Sequence, residues 1–395
     1  GGTSTDVALV QNGAANKRRE TRVADVTVRA SSIDVRTVGA GGGSIAYSPE
    51  LTKALRVGPQ SAGATPGPAA YGKGGEEPTV TDANVVLGYL PERLLGGDMS
   101  LDVDSARKAV ATLGEQIGLG PEAAAQGILD IANETMLGAL RVITVQRGLD
   151  PRDFGIVAFG GAGPLHANAM AALLGCYPVV VPANPGVLSA LGFLEAEFKN
   201  EFVQTLIGSI AGTDDTGIRD RFRDLQGKAI EWLDSQDVAE VDRRTVYSMD
   251  LRYEQQGFEV AIDVPAEIAT GDGDFFAVYD DFHATHERLY GVKFDLPIEL
   301  VALRTVATGA TPEVSMAVPD ATSAEDAVME TTKGYFHGEW LETKHIDRDK
   351  LPVGARVDGP AIIRQYDTTT VLLPAHYAEV DQGGNLMIWP NGKGV

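Results

Sequence analysis

The first six residues combine two glycines, three hydroxyl side chains and a carboxylate, and an apolar stretch follows them directly. They are Gly1, Gly2, Thr3, Ser4, Thr5 and Asp6. Glycines let backbone N–H groups approach an anion, and hydroxyls donate further hydrogen bonds. An Asp behind such a turn can hold a hydrated divalent metal that bridges phosphates. The segment predicts a phosphate-binding turn between strands with a metal at Asp6; the alternative is that Asp6 caps its own turn.

A second glycine-rich turn follows the short apolar segment FGIVAF at 154–159. It precedes a helix predicted over 164–175 and consists of Gly160, Gly161, Ala162 and Gly163. A helix N-terminus presents free N–H groups and a positive dipole end to an anion. Together the two turns predict an ATP site of the kind that actin, hexokinase and sugar kinases use, although helix packing is an alternative explanation for the second turn.

Two more side chains are candidates for catalysis. His166 lies in the first turn of the predicted helix, where the helix N-terminus lowers an imidazole pKa, and a packed or solvent-facing histidine is the alternative. Asp82 lies in the segment TVTDAN and is predicted to face the cleft, but helix capping by Asp82 or Thr81 explains the pattern equally. The glycine-rich segments 41–44 and 61–63 are either anion-binding loops or plain tight turns.

The composition excludes several classes of partner. The chain has 33 Lys and Arg against 55 Asp and Glu, a formal charge of -22. Such a field repels nucleic acid and anionic membrane, so we expect neither as a partner. No apolar run approaches the roughly 20 residues of a membrane helix. Cys176 is the single cysteine, which fits a reducing cytoplasm and is better explained by packing than by nucleophilic chemistry.

Periodicity and turn residues predict three domains, at 1–198, 199–329 and 330–395. The first is of α/β class, the second is α+β and the third is rich in strands. The predicted elements include a hairpin turn at Asn12-Gly13, a strand over 24–38, a loop over 57–71, a strand over 335–344, and helices over 104–117, 121–147, 214–235 and 274–290. His283 and His286 are predicted to form a polar helix face rather than a metal site.

Seven segments follow one another as they do in the hydantoinase A and oxoprolinase family. They are GGTSTDVALV, TVGAGGGSIA, LRVGPQSAGATPGPAAYG, EPTVTDANVVLG, FGGAGPLHA, NPGVLSALGF and GPAIIRQYDTTTVLLP. The chain resembles that family over nearly its whole length. The resemblance implies the second half of an actin-like (ribonuclease H-like) ATPase, with ATP and Mg²⁺ or Mn²⁺ as cofactors, followed by an α+β and a β-rich C-terminal region.

The activity implied by the resemblance is ATP-dependent hydrolysis of a cyclic amide through phosphorylation of its carbonyl oxygen. The first turn then cradles phosphate and 160–163 forms the adenosine side. Two alternatives stay open: the nucleotide-activating subunit of a ketone carboxylase, and a non-catalytic assembly module. Family members have an earlier domain with its own Gly-Gly-Thr turn, so we expect that domain to come from a longer polypeptide or another chain. A hydantoinase B-like subunit is the other expected partner.

Overall fold

A computed structural model describes residues 2–18, 20–23, 25–28, 32–210, 214–311 and 324–392. Contacts divide the chain into two compact units, one of Gly1–Ala190 with Met316–Val395 and one of Leu191–Ser315. This grouping differs from the three predicted domains, because the segment predicted as a separate β-rich domain over 330–395 belongs with the N-terminal part. Within the described ranges, no helix is both long enough and apolar enough to cross a membrane.

The N-terminal part of the first unit begins with short strands and then becomes largely helical. Its strands are β1 (Thr5–Ala8), β2 (Val10–Gln11), β3 (Ala14–Ala15), β4 (Lys17–Arg18), β5 (Thr21–Val23), β6 (Val26–Val28), β7 (Ser32–Ile33), β8 (Val35–Val38), β9 (Ser44–Tyr47), β10 (Arg56–Ser61), β11 (Arg93–Leu94), β12 (Met99–Ser100), β13 (Ile156–Val157) and β14 (Val179–Val181). The helices up to residue 194 are α1 (Val80–Val86), α2 (Val103–Ile117), α3 (Pro121–Ile143), α4 (Gly163–Leu174) and α5 (Leu188–Leu194).

Elements whose ends are set by neighbouring residues, such as glycine-terminated helices and tight turns, are predicted correctly from the sequence. The helices predicted over 104–117 and 164–175 are confirmed as α2 and α4, and each ends at a glycine in the left-handed region. The hairpin turn at Asn12-Gly13 is also confirmed, because both residues have positive φ and they connect the paired strands β2 and β3. The predicted helix over 121–147 forms α3, followed by a 3₁₀ turn at Val145–Arg147.

Three predicted elements need correction. The loop predicted over 57–71 is wrong at its start, because β10 pairs with β9 and a bulge between Val57 and Ser61 accommodates Pro59, which has no N–H. The strand predicted over 335–344 is instead parts of two strands, since His337 and Gly338 have positive φ and form a turn. The strand predicted over 24–38 is divided into β6, β7 and β8, and residues 24 and 29–31 lie outside the described ones.

The C-terminal strands complete sheets of the first unit. They are β19 (Val328–Phe336), β20 (Glu339–Asp347), β21 (Arg356–Asp358), β22 (Ala361–Arg364), β23 (Thr369–Leu372), β24 (His376–Val380) and β25 (Leu386–Pro390). One sheet has the order β13-β14-β25-β24-β21, and the other has the order β19-β20-β22-β23. The short strand β14 pairs with β13 on one side and with β25 on the other. Residues of α4 share a hydrophobic core with Ile363 and Leu386.

The second unit is an antiparallel sheet with helices packed against it. Its strands are β15 (Phe198–Ser209), β16 (Arg243–Tyr253), β17 (Val260–Val264) and β18 (Ile298–Gly309), in the order β15-β18-β16-β17. Its helices are α6 (Asp215–Ser235), α7 (Ala266–Ala269) and α8 (Phe276–Tyr290). The helices predicted over 214–235 and 274–290 are confirmed as α6 and α8. Phe222, Met249 and Phe282 are fully buried between these layers.

The two histidines of α8 do not form the polar helix face that the sequence predicts. His286 is buried among aromatic rings, and its Nδ1 donates to the carbonyl of Val292 at 2.7 Å. The Nδ1 atom of His283 lies 2.7 Å from the hydroxyl of Tyr253. The prediction fails because an imidazole ring whose nitrogens have hydrogen-bond partners packs in a core as an aromatic side chain does.

Candidate phosphate and nucleotide site

The first glycine-rich turn lies against the loop at 39–44. The Thr5 hydroxyl donates to the carbonyl of Ala40 at 2.8 Å, and the carbonyl of Gly2 accepts from the N–H of Gly43. The Thr3 hydroxyl lies 3.1 Å from that of Ser61. Gly1 lies outside the described residues, and the side chain of Ser4 is half-buried. These contacts fix the start of β1 against the loop at 39–44.

The loop at 39–44 requires glycine at two positions because other chain segments approach its backbone closely. A Cβ on Gly43 would lie 2.8 Å from the Ser61 hydroxyl and 2.9 Å from the carbonyl of Gly2. A Cβ on Gly42 would lie 2.8 Å from the hydroxyl of Thr81, which donates to the Gly42 carbonyl. Gly42 and Gly43 therefore allow the first turn, the loop at 39–44 and α1 to pack closely against one another.

The carboxylate of Asp6 leaves the strand on the face opposite to Thr5. Successive side chains of a strand point to opposite faces, and in β1 Thr5 is half-buried whereas Asp6 is exposed. The Thr37 hydroxyl donates to the Asp6 carboxylate. Among the residues that the structure describes, no three His, Cys, Asp or Glu side chains form a group that could hold a metal. The geometry does not fit a metal cage at Asp6, and its metal role stays a prediction.

Asp82 is a fully buried structural carboxylate. It is the third residue of α1, and Thr79 rather than Asp82 or Thr81 is the N-cap, which corrects the capping prediction. Its carboxylate accepts from the N–H and hydroxyl of Thr79 at 2.8 and 2.7 Å and from the N–H of Ala70 at 2.7 Å. Burial raises the pKa of Asp82, although these donors oppose that shift. The side chain thus joins the turn at Ala69–Tyr71 to α1.

The second glycine-rich turn is held by two other segments of the same unit. Gly160 has φ of 81°, in the region that favours glycine, and its N–H donates to the carbonyl of Pro185 at 2.7 Å. The hydroxyl of Thr368 donates to the carbonyl of Gly161 at 3.0 Å. These two contacts hold the turn in place directly before the start of α4 at Gly163.

The N-terminus of α4 is a candidate anion site, in which Gly163 and Leu165 offer N–H groups and Pro164 between them offers none. The first N–H groups of a helix have no intrahelical acceptor, and the N-cap residue Ala162 provides no side-chain cap. The helix has 12 residues, so its aligned peptide dipoles add to the attraction for negative charge. A Cβ built on Gly163 would lie 3.9 Å from the carbonyl carbon of Ala158, which is an ordinary contact distance.

His166 is buried with one nitrogen engaged and the other without a protein partner. Its Nδ1 lies 2.8 Å from the side-chain oxygen of Asn133 on α3. Among the described residues, no group forms a hydrogen bond with its Nε2. Only 3% of the residue is exposed, and burial lowers the pKa of His166 to about 4. The imidazole is therefore neutral near pH 7.

These segments meet at a small cavity of about 30 Å³. The described residues that line it are Thr5, Gly41, Met136, Ala162, Gly163, His166 and Met170. The structure thus brings together both predicted turns, the glycine-rich loop and His166. Asp6 and Asp82 do not line the cavity, and the contacts of Gly160 and Gly161 lie on the Pro185 and Thr368 side of the turn.

Sequence reasoning missed the residues that support the site. Asn133 is a buried polar side chain on the apolar face of α3, next to Leu137 and three residues before Met136. A single polar residue on a buried helix face is a signal that could have identified it. Thr368 lies in the quoted segment QYDTTT, but nothing local in that segment indicates that its hydroxyl contacts a turn 207 residues earlier.

Comparison with protein-family models finds two matches along the chain. The model described as hydantoinase/oxoprolinase matches residues 1–202, and the model of the hydantoinase/oxoprolinase C-terminal domain matches residues 212–385. The caprolactamase subunit alpha of Pseudomonas jessenii is 31% identical over 408 residues. That alignment covers 99% of this chain and 57% of the subunit.

Two solved structures have the same arrangement of helices and strands. Nucleotide-free acetone carboxylase, from a study of ATP-dependent acetone carboxylation, has a TM-score of 0.88 at 26% identity and covers 99% of this chain and 57% of its own. The ATP-dependent caprolactamase of Pseudomonas jessenii has a TM-score of 0.75 at 29% identity and covers 100% and 58%. The predicted mixture of helix and strand is confirmed, and the chain spans a little over half the length of these relatives.

Proposed function

This chain belongs to the hydantoinase/oxoprolinase family, and from that premise we propose that it contributes part of an ATP site to an enzyme that hydrolyses a cyclic amide. The substrate is of the hydantoin, oxoproline or lactam type. One observation carries the proposal: Thr5, Gly41 and Gly163, from three glycine-rich segments far apart in sequence, line one cavity at the N-terminus of α4. Such an N-terminus attracts a phosphate group even in a chain of charge -22.

The cavity is far too small for a whole nucleotide. Its volume of about 30 Å³ corresponds to one or two water molecules, so we infer that at most the oxygens of a phosphate group reach the N-terminus of α4 through it. The hydroxyl proton of Thr5 is already donated to Ala40, so the N–H groups at the start of α4 are the main donors. We infer that the rest of the nucleotide is enclosed by an earlier domain, as in an actin-like ATPase, and that a hydantoinase B-like subunit completes the enzyme.

The chemistry needs charge neutralisation more than it needs a strong base. When bound, ATP supplies a phosphoryl group that activates the poorly electrophilic carbonyl of an amide toward water. The residues of this chain contribute position and electrostatics: the α4 dipole and its N–H groups favour the negative charge of the transferring group. Mg²⁺ or Mn²⁺ is proposed from the family resemblance, and this chain offers Asp6 as a single exposed carboxylate.

A second candidate function is the nucleotide-activating subunit of a ketone carboxylase. It is favoured by the acetone carboxylase structure, whose TM-score of 0.88 exceeds the 0.75 of caprolactamase. The decisive assay is phosphate release by the complete protein with hydantoin, 5-oxoproline or caprolactam, and with acetone plus bicarbonate. Stimulation by the amides supports the first function, and stimulation by ketone plus bicarbonate supports the second. If ATP does not bind, the chain is an assembly module and both are wrong.

A matched pair of helix-cap variants tests the site itself. Ala162→Asp places a carboxylate at the N-cap of α4, where it occupies the N–H groups and repels phosphate while capping the helix. We expect ATP affinity to fall at least about tenfold with the melting temperature unchanged or raised. Gly120→Asp makes the same change at α3, whose N-cap also lacks a side-chain cap, and serves as the control. Equal ATP affinity of both variants would place the phosphate elsewhere.

A further inference from the structure

The tip of the hairpin between β22 and β23, at 365–368, places a carboxylate beside the second glycine-rich turn. We propose that the carboxylate of Asp367 accepts hydrogen bonds from the ribose hydroxyls of the nucleotide, and that Asp367 thereby makes the site selective for a nucleotide with an intact ribose. This role rests on the proposed function, because it needs a nucleotide at the start of α4. It would make Asp367 the residue that holds the sugar.

The hairpin tip contacts two loops that follow parallel strands. β13 and β14 pair in parallel, and the loops at 160–162 and 183–187 follow their carboxyl ends. Nε2 of Gln365 donates to the carbonyl of Ala183 in the second loop at 2.7 Å, and the hydroxyl of Thr368 donates to the first loop. Ligands of open α/β sheets bind beyond the carboxyl ends of the strands. The hairpin tip therefore lies where such a sheet binds its ligand.

Asp367 contacts both of these loops. A Cβ built on Gly186 would lie 2.6 Å from the Cβ of Asp367 and closer still to its carboxylate, so only glycine lets this side chain lie against the loop. The carbonyl oxygen of Asp367 lies 3.5 Å from the position of a Cβ built on Gly161. The backbone of Asp367 is thus next to the glycine-rich turn, and its carboxylate is packed on the neighbouring loop.

The half-buried carboxylate of Asp367 lacks a donor. Within the ranges that the structure describes, no group forms a hydrogen bond or an ion pair with it. An ionised carboxylate only accepts hydrogen bonds, and it repels phosphate. Its partner on a bound nucleotide is therefore a neutral N–H or O–H group.

The ribose carries such donors close to the phosphates. Its two hydroxyls are on neighbouring carbons, so the two oxygens of one carboxylate can accept from both. Acidic side chains bind a ribose hydroxyl in dinucleotide-binding folds. Gly161 precedes Gly163, the first residue of α4, by two residues, which span at most about 7 Å. A ribose at Asp367 therefore keeps its phosphates near the start of α4, whereas the adenine amino group is at the far end of the nucleotide.

ATP and 2′,3′-dideoxyATP test this role in the complete protein, because they differ only in the two ribose hydroxyls. Calorimetric titration is expected to give binding of ATP at least about tenfold tighter. Asp367→Ala removes the acceptors and is expected to bring the two affinities within about twofold of each other. A purely structural role would weaken both nucleotides equally and leave the ratio of their affinities unchanged.

Asp349→Asn is the control for charge. Burial, followed by the charges of Asp347 and Asp367, raises the pKa of Asp349, so its carboxylate lies in the same acidic surroundings. Its loss changes the local field for both nucleotides alike, and we expect the preference for ATP to remain.

Gly186→Ala keeps the carboxylate of Asp367 but displaces it, which makes the test valid even if Asp367→Ala does not fold. We expect the preference for ATP to fall in this variant. Gly192→Ala in α5, with nothing within 4 Å of its Cβ, is the control and is expected to keep the preference. Equal affinity of the wild type for both nucleotides, or a preference that survives Asp367→Ala, overturns this inference alone. If neither nucleotide binds, the proposed function is wrong.

Discussion

The hydroxyl of Thr368 donates to the carbonyl of Gly161 at 3.0 Å and lies 3.3 Å from that of Gly160. This contact connects the residue just before β23 to the turn that begins α4, 207 residues earlier. Thr368 is 5% exposed, whereas Gly160 is half-buried and Gly161 is exposed. The turn at the candidate site thus contacts a segment that the sequence predicts as part of another domain.

Thr368→Val removes this hydroxyl and preserves the shape of the side chain. We expect a loss of about 0.5 to 1.5 kcal/mol in the free energy of unfolding, together with weaker ATP binding, because the turn at Gly161 loses its hydrogen bond to Thr368. Urea denaturation and ATP titration measure the two effects. Thr112→Val on the exposed face of α2 is the control, since its hydroxyl donates to the carbonyl of Lys108 in the preceding turn of the same helix. An unchanged ATP affinity would mean that this contact does not position the turn.

Gly43→Ala tests the close approach of the first turn and the loop. The new Cβ would lie 2.9 Å from the carbonyl of Gly2, and a backbone atom cannot move aside cheaply. We expect a loss of about 1 to 3 kcal/mol and weaker ATP binding, measured by thermal unfolding and titration. Gly138→Ala in α3 has nothing within 4 Å of its Cβ and is expected to be neutral or to stabilise by up to about 1 kcal/mol. Similar stability of the two variants contradicts the interlocked arrangement.

The parts of the fold that the sequence predicts are those with local causes. Gly118 and Gly175 end α2 and α4 because each adopts a positive φ that other residues avoid. The alternation of side chains in β1 is also local, and applied to Thr5 and Asp6 it would have separated the two faces. The prediction of a metal at Asp6 rests on its residue type and its spacing, and does not include that alternation.

The rest of the site depends on contacts between distant segments. Thr5 and Gly163 line one cavity although 158 residues separate them, and the partner of His166 lies 33 residues earlier on another helix. Neither contact leaves a periodic signal. The same limit explains the domain prediction: the short strand β14 gives no local sign that β25 will pair with it.

The stability of the protein is expected to depend on pH through His166. Burial lowers the pKa of His166 from 6.5 to about 4, so the unfolded chain binds a proton in a range where the folded chain does not. Stability from this group is present above pH 6.5 and is lost as pH falls toward 4. At about 1.4 kcal/mol per pKa unit, the loss is about 3 kcal/mol. Urea midpoints of wild type and His166→Gln should converge over this range, and parallel pH curves would contradict the prediction.

Asp82→Asn distinguishes a structural carboxylate from a catalytic one. The amide nitrogen of asparagine faces N–H donors of Ala70 and Thr79, so at least one buried donor loses its acceptor. We expect a loss of about 1 to 3 kcal/mol in stability, while phosphate release per folded protein stays near the wild-type value. Denaturant midpoints and turnover measured well below the melting temperature separate the effects. A large loss of turnover in fully folded protein would support the catalytic role that the sequence suggested.

Asp6→Asn tests whether Asp6 holds the metal, as the sequence predicts, or points away from the candidate site, as the alternation in β1 indicates. The carboxylate is exposed, accepts from Thr37, and lies on the face of β1 opposite to Thr5, which lines the cavity. Asparagine keeps an acceptor for the Thr37 hydroxyl, so stability should change by less than about 0.5 kcal/mol. If the metal is held elsewhere, ATP affinity in Mg²⁺ should stay within about twofold of wild type. A drop of tenfold or more that is absent in metal-free buffer would instead restore Asp6 as the metal ligand and require β1 to turn its other face toward the phosphates.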